Sequence, residues 1–190
     1  MFPSFTLSGV LPPYDPNHGP TADTPFGRSP YVISPELLVA IFATSEERKL
    51  LLLQFFNYRA GLRELGFVTG HQWIDGSFVE DVETLRGRPP GDIDFVTFTR
   101  RPSTVADDSS WAAFVAENAA IIQAEGQNGL HAFFVDLSLP AEVIVRRSAY
   151  WFGLFSHQRE TALWKGLVQL DLGANDGAAI ALLEGDTHAQ

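Results

Sequence analysis

Asp92 and Asp94, in the run Gly91-Asp92-Ile93-Asp94-Phe95-Val96, have the spacing that most directly implies chemistry. A strand turns alternate side chains to opposite faces, so the two aspartates project together while Ile93 and Phe95 project the other way. Carboxylates held that close repel unless a cation lies between them, and hard divalent cations such as Mg²⁺ take oxygen ligands. A metal site is the simplest consequence. Upstream, Gly76-Ser77 follows the apolar Trp73-Ile74. Glycine lets the backbone approach a phosphate closely, and serine offers an N–H and a hydroxyl to the same oxygens. Asp136, near the end of a further apolar run, is a third acidic candidate. Three strands in mixed order could bring it beside the pair and complete a three-carboxylate, two-metal site. A buried or capping aspartate at a strand end is the alternative.

The elements that must position these residues are legible in outline. Ser34-Pro35 fits a helix start, and Thr44 with Glu47 has the pattern of a capping box. Leu51, Phe55, Tyr58, Leu62 and Leu65 then recur at helical spacing until Gly66. Gln72-Trp73-Ile74 reads as a strand leading into Asp75-Gly76-Ser77, with Asp75 expected to face solvent, and Asp92 to Thr99 reads as a second strand. Trp111, Phe114, Val115, Asn118, Ile121 and Ile122 mark one face of a helix from Ser110 to about Glu125, with Gly126 ending it. A third strand is expected over 132–137, a helix between Pro140 and His157, and a strand over 165–172. The aromatics Tyr150, Trp151, Phe152, Phe155 and Trp164 could stack a base, although core packing is the stronger expectation. Seven prolines between residues 8 and 35 argue for an extended arm there instead of regular structure. The pattern predicts an α+β fold, a small mixed sheet flanked by helices, divided as a Pro-rich arm 1–35, a domain 36–175 and a tail 176–190.

Composition narrows the chemistry. At 190 residues and 45% hydrophobic the chain suits one folded domain. It has no cysteine, which excludes disulfides, thiolate zinc sites and a cysteine nucleophile, so any metal is held by oxygen or histidine. A net charge of −10 opposes a broad nucleic-acid surface. Arg86, Arg88, Arg100 and Arg101 leave room for a local basic pocket, with solvated loop charge as the plainer account. No segment approaches the ~20 apolar residues of a membrane span, so no membrane partner and a cytoplasmic location are expected.

Taken together, Ile74-Asp75-Gly76-Ser77, Asp92-Ile93-Asp94-Phe95 and the distal Asp136 resemble the signature of the DNA polymerase β-like nucleotidyltransferase superfamily. More narrowly, the chain resembles a family of small bacterial and phage-associated proteins of unassigned function with an N-terminal Leu-Pro-Pro segment. Trp73-Ile74-Asp75-Gly76-Ser77-Phe78-Val79, Pro90-Gly91-Asp92-Ile93-Asp94 and Lys165-Gly166-Leu167-Val168 carry that likeness, which spans most of residues 10–172. Two departures are a 14-residue spacer between Ser77 and Asp92 and an aspartate, Asp75, where the superfamily usually has an apolar residue.

The resemblance implies a nucleotidyltransferase fold and Mg²⁺-dependent transfer of an NMP from an NTP to an acceptor hydroxyl. Two Mg²⁺ ions, or Mn²⁺ in their place, would sit on Asp92, Asp94 and Asp136, with Asp136 as general base or orienting group. Gly76, Ser77 and Lys165 would contact the nucleotide. Arg147, His157 and Arg159 are further candidates for the triphosphate, ordinary surface charge being the alternative. The acceptor is left open among a protein, a small molecule and an RNA end, and the resemblance implies a toxin–antitoxin or defence setting. The competing reading is a catalytically inactive NTP-binding or protein-interaction module of the same fold. A metal-dependent nuclease or phosphatase would also use paired aspartates but leaves Gly76-Ser77 without a role.

Overall fold

One mixed sheet organises the chain in the computed structural model, which describes residues 1–17, 19, 24, 26–105, 107–122 and 125–185. In chain order the elements are β1 (Tyr31–Ile33), α1 (Pro35–Phe42), α2 (Glu46–Glu64), β2 (Gly70–Asp75), a 3-10 turn (Gly76–Val79), α3 (Val82–Arg86) and β3 (Ile93–Thr99). They continue as α4 (Asp108–Glu117), α5 (Ala119–Ile122), β4 (Glu125–Gln127), β5 (Leu130–Asp136), α6 (Ala141–Phe155), β6 (Val168–Asp171) and α7 (Gly177–Gly185). The strands lie in the order β1-β6-β2-β3-β5-β4. β1 is parallel to β6 and β3 to β5, and the other neighbours are antiparallel.

Strand alternation assigns the faces. Ile93 and Phe95 of β3 and Leu130 and Ala132 of β5 point into a large core shared with Leu52, Phe55, Phe56 and Leu62 of α2, Leu38 and Phe42 of α1, and Leu183 of α7. Val96, Phe98 and Val135 point the other way, into a smaller core with Phe155 of α6, against which Trp151 and Phe152 pack. Of the aromatics considered for base stacking, these three therefore belong to packing, while Tyr150 and Trp164 are exposed.

Local chemistry explains most boundaries. Ser34 caps α1 by accepting from Leu37 N at 3.2 Å. The cap of α2 is Ser45, one residue later than the expected Thr44, with Arg48 N 3.3 Å from its hydroxyl. The single helix expected over 110–125 is two, because Asn118 donates its side-chain amide to Phe114 O at 2.9 Å and ends α4. Asn128 and Gly129 both take positive φ and form the two-residue turn of a hairpin, which adds β4 and starts β5 at Leu130, two residues before the expected position.

The described residues of the proline-rich arm include several that pack on the domain. Phe2 packs edge-on to Phe26, Tyr31 and Phe42. Gly166 N donates to Leu11 O at 2.8 Å, and a Cβ on Gly166 would lie 2.5 Å from Pro12 O. Tyr31–Ile33, expected within an irregular arm, is instead the edge strand of the sheet.

A buried polar network joins α2 to the sheet. Arg59, with no exposed surface, is bidentate to Asp176 (Nε 2.8 Å, Nη2 3.0 Å) and donates to Gln72 Oε1 at 2.6 Å and Asp171 O at 2.9 Å. Gln72 passes the chain on to Thr97 Oγ1 at 2.9 Å. Removing Arg59 leaves the buried Asp176 with Arg63 as its remaining cation, and Gln72 Oε1 and Asp171 O without that donor. Arg59→Met should therefore lower unfolding free energy by about 3–5 kcal/mol in urea titration, and adding Asp176→Leu should recover part of that loss.

Candidate functional site

β2 and β3 pair with Asp75 opposite Asp94, so the chain leaving β2 turns beside the start of β3. Gly76 makes that turn at φ +75°, and its missing side chain is essential. A Cβ there would lie 2.1 Å from Asp94 Oδ2. The Gly-Ser turn and the acidic pair are thereby in contact. Asp92 immediately precedes β3, whose first amide, Ile93 N, is anchored 2.9 Å from Gly129 O.

On the other side of β3, the parallel register sets His131 of β5 beside Asp94. Its Nδ1 lies 3.3 Å from Asp94 Oδ1 and 3.4 Å from Asp92 Oδ2, and one donor atom from each of the three residues falls within 4.8 Å of the others. All three are partly exposed, at 33% for the Asp92 side chain, 21% for Asp94 and 39% for His131. Burial raises the Asp94 pKa, and repulsion from Asp92 raises it further against the opposing pull of His131 and Arg159. Two oxygens and one imidazole nitrogen converging on one point form a donor set that fits a divalent cation.

Asp136, expected as the third metal ligand and base, is not in this group. It pairs with Thr99 at the far ends of β3 and β5, five residues beyond His131, which is roughly 17 Å along the strand and an odd step that reverses the face. There it is 2.7 Å from Arg101 Nε, and its Oδ1 accepts from Ser138 N at 2.8 Å, the capping role. It lines a separate cleft of about 530 Å³ with Trp111, Phe134 and Arg147, so Arg147 also leaves the site.

Lys165 does reach the site, in a different role from the expected phosphate contact. It is 2% exposed, and its ammonium lies 2.8 Å from Glu80 Oε1, 3.0 Å from Asp75 Oδ1 and 3.1 Å from Gly76 O. Its charge is taken up by protein carboxylates, and it braces the turn from beneath. Asp75, expected to face solvent, is buried beside it, and burial pushes its pKa up to about 7 despite Lys165. Glu80 further accepts from Gln158 Nε2 at 2.8 Å. Arg48, also buried, clamps the same segment through Glu83 (2.6 and 2.9 Å), Phe78 O and Glu80 O (2.7 Å each).

Above the turn opens a cleft of about 660 Å³ containing Ser77, Asp92, Asp94 and His131. Arg86, Arg88, His157, Arg159 and Glu160 also line it, so both signs of charge meet around the carboxylates, with Arg86 taken up by Glu80 and Glu160 at 3.4 and 3.8 Å. His131 is the site residue that sequence reasoning missed. The signal was the Asn128-Gly129 dipeptide, which starts a strand at Leu130 and so assigns His131 to the face of Phe133 and Val135.

A family model matches residues 3–171, described as a family of unknown function (DUF6932). The chain belongs to this family. No curated protein and no solved structure matches the chain. Among the described residues, no helix is long and apolar enough to cross a membrane.

Asp75 makes the site's foundation sensitive to pH. An acid whose pKa is higher folded than unfolded binds its proton more tightly in the folded state, so its contribution is full below the unfolded pKa and lost as pH rises through the folded one. Stability should fall between about pH 4 and the Asp75 value of about 7. Asp75→Asn should flatten that slope in urea titrations across this range.

Proposed function

We propose that this protein is a divalent-metal-dependent nucleotidyltransferase that moves an NMP from an NTP to an acceptor hydroxyl. The observation that carries the reading is the contact of Gly76 with Asp94, which sets the glycine-serine turn directly beside the carboxylate pair. The 660 Å³ cleft above them, with Arg88 and Arg159 in its lining, has the room and the guanidinium groups that a polyanionic ligand needs.

In this reading the Gly76-Ser77 turn offers its backbone N–H groups and the Ser77 hydroxyl to phosphate oxygens. Arg159 and Arg88 neutralise the triphosphate, while Arg86 is already taken up by Glu80 at 3.4 Å and Glu160 at 3.8 Å. Asp92, Asp94 and His131 would hold a divalent ion, which when bound supplies charge neutralisation at the transferring phosphate. The acceptor oxygen forms a bond to the α-phosphorus as the bond to the β-phosphate oxygen breaks, and pyrophosphate leaves. The hydroxyl proton passes to the pair, Asp92 being the more exposed member. Asp136 takes no part in this step.

The displacement of Asp136 favours a second reading, an NTP-binding module without turnover, because the donor set has two carboxylates where the resemblance implies three. Incubation with each labelled NTP, Mg²⁺ or Mn²⁺ and a cell lysate separates the two. The transferase releases pyrophosphate and labels an acceptor; the binding module retains NTP unchanged. If turnover is found, Asp92→Asn and Asp94→Asn should each reduce it by roughly 10²-fold or more, while Asp136→Asn should stay within a few-fold of the native rate. Equal loss in all three would remove the site assignment.

A further inference from the structure

We infer that the Asp92, Asp94 and His131 centre selects a first-row transition ion such as Mn²⁺ over Mg²⁺, with the His131 Nδ1 as the selecting ligand. This rests on the metal reading above and goes beyond it in naming the ion class. Mg²⁺ is hard, dehydrates reluctantly and takes oxygen donors, so an imidazole nitrogen adds less to its affinity than to that of a softer first-row ion, of which Mn²⁺ is the first in the series. Parallel pairing of β3 with β5 makes nitrogen the third donor, since the carboxylate of that strand, Asp136, lies on the opposite face.

Donor spacing fits the same conclusion. His131 Nδ1 stands 3.3 and 3.4 Å from one oxygen of each aspartate, close to the ~3 Å edge of an octahedron built on metal–ligand bonds of about 2.1 Å. Orientation is set independently. Asp94 Oδ2 fills the space a side chain at Gly76 would need, which directs Oδ1 toward His131. The three protein donors come from one end of adjacent strands and line the cleft, so water or substrate oxygens from the cleft would supply the other ligands of a bound ion.

The competing account is a histidine that only hydrogen-bonds the aspartates. Metal-free full-length protein should be titrated calorimetrically with Mn²⁺ and with Mg²⁺, and the Mn²⁺ complex examined by pulsed electron paramagnetic resonance for coupling to a ¹⁴N nucleus. The expected result is Mn²⁺ binding at least about tenfold tighter than Mg²⁺, with nitrogen coupling present. His131→Asp should abolish the coupling and lower the Mn²⁺/Mg²⁺ affinity ratio by about tenfold, because it restores an all-oxygen set. Should His131→Asp fail to fold, the native spectrum decides, with His131→Asn as the second variant. A nitrogen-free Mn²⁺ spectrum in the native protein overturns this inference and leaves a metal-dependent site standing. Failure of both ions to bind overturns this inference and the metal reading together.

Discussion

Two buried cations hold the geometry on which the rest of the site depends. Lys165 and Arg48 are each 2% exposed, and each is tied to the segment that follows β2. Removing an ammonium or guanidinium from water costs several kcal/mol unless its donors are met in one good arrangement, so the partners become restricted as well. Here the partners are the carbonyls of Gly76, Phe78 and Glu80 and the carboxylates of Asp75, Glu80 and Glu83. A short turn that could otherwise adopt several shapes is thus fixed from below. The arm adds to this constraint, since Asp81 N donates to Gly9 O at 2.8 Å and Val10 bridges to Glu80.

With the turn fixed, the sheet register does the remaining positioning. Antiparallel pairing of β2 with β3 sets Asp75 opposite Asp94, and parallel pairing of β3 with β5 sets His131 opposite Asp94. Three strands thereby deliver turn, carboxylates and imidazole to one end and one face. The same parity removes Asp136, which faces the larger core's side of the sheet near Phe134 and Trp111. Arg88 and Arg159 line the same cleft as the carboxylates, together with the acidic Glu160.

Local signals in the chain were good guides to elements and poor guides to partners. Alternation in Asp92-Ile93-Asp94-Phe95 correctly assigned the two aspartates to one side, and Ser34-Pro35 marked its helix. Lys165 and Asp75 misled for one shared reason. A charged residue is read as exposed unless its counter-charge is known, and Lys165 and Asp75 are 90 positions apart in the chain, with Glu80 joining them only in the fold. The effects of Asn118 and the Asn128-Gly129 turn also act within a few residues, yet the expected single helix over 110–125 and strand from 132 passed over both.

The sequence alone therefore determined the α+β composition, the paired aspartates and the glycine-serine turn, since side-chain alternation and turn chemistry are short-range. Only the tertiary structure decided that the turn touches the pair, that Lys165 braces it from beneath, and that the third group is His131 and not Asp136. Those outcomes depend on strand order and register, where a shift of one residue exchanges the faces of an entire strand.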